Sequence, residues 1–147
     1  MKRLVPAFLM VGILGITAFA QTEQKRIVPP IRGEAQIEII GPETKSTKEE
    51  VVSKFRIRNA STGSIALLTL TETWYDKTGN ALGGDSFKYR KPFLPGEVIE
   101  AELHTPRNPK FYSNQFQFTH ANGNIKVTKV KSFPGDKPAE KPAPKKD

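Results

Sequence analysis

Few residues in this 147-residue chain have the types and spacing that chemistry needs. The most unusual is Glu72, within Leu67–Asn80, LLTLTETWYDKTGN. Period-two alternation puts Leu68, Leu70, Glu72 and Trp74 on one face of a strand, so an acid falls among apolar neighbours. Such a carboxyl group must be paired, protonated or near the rim of the core. The ordinary reading is a rim residue paired with a Lys or Arg of a neighbouring strand; the functional one is an acid that touches a ligand beside an aromatic ring. Lys54, Arg56 and Arg58 are the sharpest charge feature, three cations on one strand face. They read as a solvent face, with a stripe for an acidic partner as the functional alternative. Thr69, Thr71, Thr73 and Tyr75 form a polar face suited to sugar binding or β-pairing. The candidate interaction residues are therefore Glu72, Tyr75, Lys54, Arg56 and Arg58.

Catalytic chemistry has less to draw on. His104 and His120 are the only histidines and cysteine is absent. With the acids scattered, no metal-ligand spacing and no thiol nucleophile emerge. No nucleophile elbow occurs. Gly83-Gly84 lacks the Lys-Ser/Thr and the helix of a phosphate-binding loop. The expectation is a non-enzyme with no cofactor, catalytic or metal site.

The N-terminus sets the compartment. Lys2 and Arg3, the uncharged apolar run Leu4–Ile16 and Ala18-Phe19-Ala20 read as a cleaved secretory signal helix over residues 1–20. No other apolar run is long enough to span a membrane. Cleavage leaves 127 residues, a usual size for one domain, and lowers the net charge from +8 to +6. The cations are dispersed among acids, and export removes nucleic acid as a partner. Without disulfides the domain rests on its hydrophobic core.

The elements that position these residues are strands. Residues 21–33, with Pro29-Pro30, read as an extended lead-in. Alternation then marks Glu34–Ile40, Val51–Asn59, Leu67–Tyr75, Ser86–Arg90, Glu97–His104, Tyr112–His120 and a last strand from Ile125. Gly41-Pro42 is expected to end the first strand, and Glu43–Glu50 reads as an exposed loop. Ala81–Gly84 reads as irregular or bulged. Phe93 or Leu94 is expected to plug the core, and Thr105–Lys110 to cross the surface. Asp76–Asn80 reverses the chain through Gly79, and Asn122-Gly123 marks a hairpin. Residues 34–133 form the domain; 134–147, rich in Pro and Lys, read as a disordered tail. About seven strands with turns between them and no amphipathic helix predict an immunoglobulin-like antiparallel β-sandwich, with an open barrel as the alternative.

Particular residues also resemble a known family. Phe55-x-Ile57-x-Asn59, the strand end Glu72-Thr73-Trp74-Tyr75-Asp76, Gly79 and Leu94-Pro95-Gly96-Glu97 are similar to the bacterial FxLYD domain. Glu72 stands where that pattern has Phe, and Trp74 where it has Leu. The resemblance covers about Val51–Leu103. It implies an Ig-like fold and an exported or envelope location, and no activity. The expected function is a non-enzymatic interaction module of the cell envelope, periplasmic or extracellular, with a protein or glycan partner. A structural accessory of an envelope assembly is the alternative, and an unrecognised enzyme the remote one.

Overall fold

The computed structural model describes residues 27–136. The signal helix, residues 21–26 of the lead-in and residues 137–147 lie outside them. Seven strands follow in order: β1 (Ala35–Ser46), β2 (Glu50–Asn59), β3 (Leu68–Tyr75), β4 (Ala81–Tyr89), β5 (Val98–Pro106), β6 (Ser113–His120) and β7 (Gly123–Lys129). No helix occurs among the described residues. The strands form a seven-stranded sheet in the order β4-β3-β6-β7-β1-β2-β5.

The sheet is mixed, where the sequence predicts an antiparallel one. Ala35–Ile39 of β1 runs parallel to Ile125–Lys129 of β7. The cause is where the two strands begin. Gly33 N donates to Asn122 O at 2.9 Å, so the start of β1 sits at the β6–β7 turn. Both strands leave from that point in one direction. Gly123 allows the approach, because a Cβ there would run into the Gly33 carbonyl.

The β6–β7 ladder holds only two residue pairs, Thr119–Asn124 and His120–Gly123. The sheet bends there and folds onto itself, and at its far ends β4 meets β5, where Asp85 Oδ2 accepts a hydrogen bond from His104 N at 2.7 Å. The result is nearly a barrel. Its core sets Ile37, Ile39, Phe55, Ile57 and Leu103 against Leu68 and Leu70, with Phe116 and Phe118 partly buried beside them. Phe55 meets Phe116 and Phe118 edge-on, at 4.9 and 5.8 Å between ring centroids. Each full burial of such a side chain stabilises by about 1.5–3 kcal/mol.

Several boundaries differ from the sequence reading. Gly41-Pro42, joined by a cis peptide, makes a bulge in β1 and does not end it. Beyond it Glu43–Ser46 pairs with Val51–Lys54, so half of the expected loop is strand. Backbone groups make the ladder, and exposed polar residues carry those groups as well as apolar ones do. Ala81–Gly84 likewise belongs to β4, opposite a bulge between Trp74 and Tyr75. Thr105 is buried at the end of β5, paired with Val51. Part of the lead-in joins the fold, with Ser64 N donating to Pro29 O and Ile31 N to Ser64 O. The folded part also runs past 133. Phe133 is buried, and Asp136 Oδ2 accepts from Phe133 N at 2.8 Å.

Phe93 is the core plug, fully buried, while Leu94 is exposed. Asn59 closes the same end. Its Nδ2 donates to Phe93 O at 2.7 Å and Gly63 O at 3.0 Å, and its Oδ1 accepts from Ser61 N at 2.8 Å. Gly96 N and Asn59 O, 2.8 Å apart, tie in the Pro-Gly turn. Asn59→Asp keeps the shape but sets an acceptor-only group against two carbonyls. It is expected to cost at least about 3 kcal/mol in urea unfolding, and near-native stability would show that the amide is not holding this end.

Candidate functional site

Glu72 does not sit at a rim beside a cation. It is 1 % exposed and lies between the two halves of the folded sheet. Its Oε1 accepts from Ser53 Oγ of β2 at 3.1 Å and from Asn114 Nδ2 of β6 at 2.9 Å. Its Oε2 accepts from Thr105 Oγ1 of β5 at 2.8 Å. Neutral donors on three strands thus replace the expected Lys or Arg. The reason is parity: β2, β5 and β6 each turn one small polar side chain inward at this level. Sequence reasoning missed all three as partners of Glu72. Ser53 and Asn114 already break the apolar registers of their strands, and that was the available signal.

The basic trio lies on the outer face of β2, and among the described residues none of its cations bonds Glu72 or Tyr75. Each cation has a carboxylate partner. Lys54 meets Glu102 at 3.2 Å and Arg58 meets Glu38 at 2.8 Å. Arg56 donates two hydrogen bonds to Asp136, at 2.9 and 3.0 Å, and lies over the Phe133 ring. That bidentate contact raises Arg56 above its ordinary pKa and lowers Asp136 below the usual carboxylate range. The stripe is therefore largely neutralised by its own chain. His104 is exposed between Glu50 and Glu102, and His120 Nε2 is 2.8 Å from Gly33 O.

Tyr75 marks a different place, the end of the sheet where the β3–β4 turn meets the β5–β6 loop. Tyr75 O accepts from Tyr112 N at 2.9 Å, fastening the loop to β3. Trp74 stacks on Phe111 with centroids 4.7 Å apart and planes 14° from parallel. The buried Trp74 Nε1–H has no acceptor among the described residues. Tyr112 is 66 % exposed. Asp76, Lys77, Thr78, Lys110, Phe111 and Tyr112 line a cleft of about 290 Å³. The turn beneath is rigid. Asp76 Oδ1 accepts from Thr78 N, Thr78 Oγ1 and Asn80 N at 2.7–2.9 Å, and Gly79 takes a φ of 86°. In this cleft the aromatic ring can stack on a sugar or a side chain, and Lys77 and Lys110 can pair with an anion. The Thr face of β3 is a separate surface, set beside Gln115, Gln117 and Thr119 of β6.

No protein-family model matches the chain, and no curated protein matches it. Among solved structures it is similar to IrmA from Escherichia coli, at 13% identity and a TM-score of 0.40, over 68% of this chain and 95% of that one.

Glu72→Gln is expected to lose less than about 1 kcal/mol. Its oxygen still accepts from Ser53 and Asn114, and its NH₂ donates to Thr105 once that hydroxyl turns. Glu72→Leu strands three donors and is expected to lose about 2–4 kcal/mol. Equal losses in chemical denaturation would contradict the hydrogen-bonded node.

The hydrogen bond from Thr78, with those from Asn80, lowers Asp76 from 3.8 to about 2. A depressed folded value means the turn is stabilised above the unfolded pKa and released as pH falls through the folded one. Carboxyl NMR should find a midpoint near 2, with the Thr78 and Asn80 amides unchanged from pH 7 to about 4. A midpoint near 4 would mean the turn is not held this way.

Proposed function

We propose that this chain is an exported, non-enzymatic domain of immunoglobulin-like, FxLYD-type architecture that binds a protein or glycan of the bacterial cell envelope. The observation that carries the reading is the end cleft, with its exposed Tyr112 ring next to the Trp74–Phe111 stack. Binding residues tend to sit on loops braced by a rigid scaffold, and aromatic rings dominate such contacts.

The strand order supports the sandwich. β2 lies between β1 and β5, β3 lies between β4 and β6, and β7 joins the two groups, an order compatible with a sandwich of the immunoglobulin type. The family resemblance gains some support from the way Asn59 is tied to Gly96, two residues of the shared pattern. The N-terminal pattern of residues 1–20 supports export, periplasmic or extracellular. The non-catalytic reading is supported by Glu72, whose carboxyl oxygens are occupied by three internal donors away from solvent.

The test is capture with residues 21–147 on envelope extract and on isolated peptidoglycan and glycans. A stoichiometric protein or a glycan is expected to be retained, and Tyr112→Ala to weaken retention about tenfold or more with an unchanged circular dichroism spectrum. Undiminished binding by Tyr112→Ala would move the site elsewhere. Turnover on a hydrolase panel, abolished by changing one polar residue, would overturn the non-enzymatic reading.

A further inference from the structure

The ladder between β6 and β7 is incomplete. β6 pairs with β3 along its length, from Tyr75–Ser113 to Thr69–Thr119. On its other side it meets β7 only at Thr119 and His120. β7 in turn pairs with β1 over Ile125–Lys129. The second edge of β6 over Ser113–Phe118, and that of β7 beyond Asn124, therefore have no strand partner among the described residues. Between them lies an opening of about 350 Å³ lined by Ile39, Phe55, Phe116, Phe118, Val127 and Lys129. Val127 is 38% exposed there.

We propose that this opening accepts an extended segment of a partner protein, with apolar side chains at alternate positions and acidic ones between them. Strand addition of this kind takes affinity from backbone hydrogen bonds and selectivity from pockets for alternate side chains. Both parts are present, an unpaired β6 edge and an apolar floor.

The opposite opening shows what a closed edge looks like in this protein. At β4 and β5 the Asp85 carboxylate occupies His104 N, and Glu100 and Glu102 stand along β5. Charged side chains and capped amides are the usual means of blocking a sheet edge. β6, with the sequence SNQFQFTH, has no Lys, acid, Pro or bulge.

Charge selects the occupant. Lys126, Lys129 and Lys131 lie on the β7 side, and none forms an ion pair among the described residues. An acidic segment complements them. A second copy of this chain brings more positive charge, since residues 21–147 carry a net +6 (+8 less Lys2 and Arg3). The chain's own segment 137–147, KPAEKPAPKKD, has three prolines without N–H groups, four lysines and no large apolar side chain. It suits the opening poorly.

The experiment uses the chain from residue 21 to 147 and synthetic octapeptides that alternate Val with Glu or Thr. Titration calorimetry is expected to find binding at least tenfold tighter than for a scrambled peptide of the same composition. Hydrogen exchange is expected to slow at least tenfold for amides within Ser113–Phe118. Val127→Lys should weaken binding at least tenfold, and so should N-methylation of alternate peptide amides, which tests the ladder without altering the protein. Tyr112→Ala should leave it unchanged, which separates this site from the end cleft. Equal affinity for the scrambled peptide, insensitivity to N-methylation, or protection confined to Thr78 and Tyr112 would each overturn the proposal. So would a dimer in sedimentation that Val127→Lys dissociates, because the occupant would then be a second copy.

Discussion

Water does not reach the carboxyl group of Glu72, so its hydrogen bonds must come from the protein. That requirement constrains four strands at once. Glu72 is on β3, and its donors are on β2, β5 and β6. A one-residue slip of β2 would replace Ser53 with Val52 or Lys54 and turn the whole apolar face outward. The node thus holds the two halves of the folded sheet in one register. Asn59 does the same toward the other end of β2, where it ties the Phe93 plug to the connector before β3. Between the two lies the apolar core. A chain without cysteine closes its core with buried polar groups whose partners are internal.

The same constraint explains where the structure is free to differ from an ideal sheet. β3, β6, β2 and β5 are committed by the node. β7 is committed instead to β1, because Gly33 and Asn122 bring their starts together. The two commitments diverge after His120, so the β6–β7 ladder stops at two pairs. The opening there is a consequence of satisfying both. The end cleft has a different origin. The Asp76 turn and the Tyr112–Tyr75 hydrogen bond brace two loops against the end of β3 and leave an aromatic ring in solvent.

Much of this was legible in residue order. Alternation located all seven strands and assigned inward faces on β2, β3 and β5, including the placement of Glu72 among apolar neighbours. It failed where backbone pairing is decoupled from side-chain pattern. Glu43–Ser46 is polar yet paired, and Ala81–Gly84 is Gly-rich yet part of β4. It also failed on electrostatic partners. The trio Lys54, Arg56 and Arg58 reads as a free stripe until Glu102, Asp136 and Glu38 arrive from other segments.

What the sequence determined by itself is which side of each strand faces the core, because successive Cβ atoms alternate and the pattern is carried by neighbours in the chain. It also determined the turns at Asp76–Asn80 and at Asn122-Gly123, whose geometry depends on a few adjacent residues. Only the tertiary structure decided what each polar group meets. The donors to Glu72 lie 19, 33 and 42 positions away, and the carboxylate on Arg56 lies 80 away. It also decided that β1 and β7 run parallel and that β6 keeps an open edge. Strand pairing joins distant segments through backbone groups that every residue shares, so the side-chain pattern of one segment does not specify its neighbour.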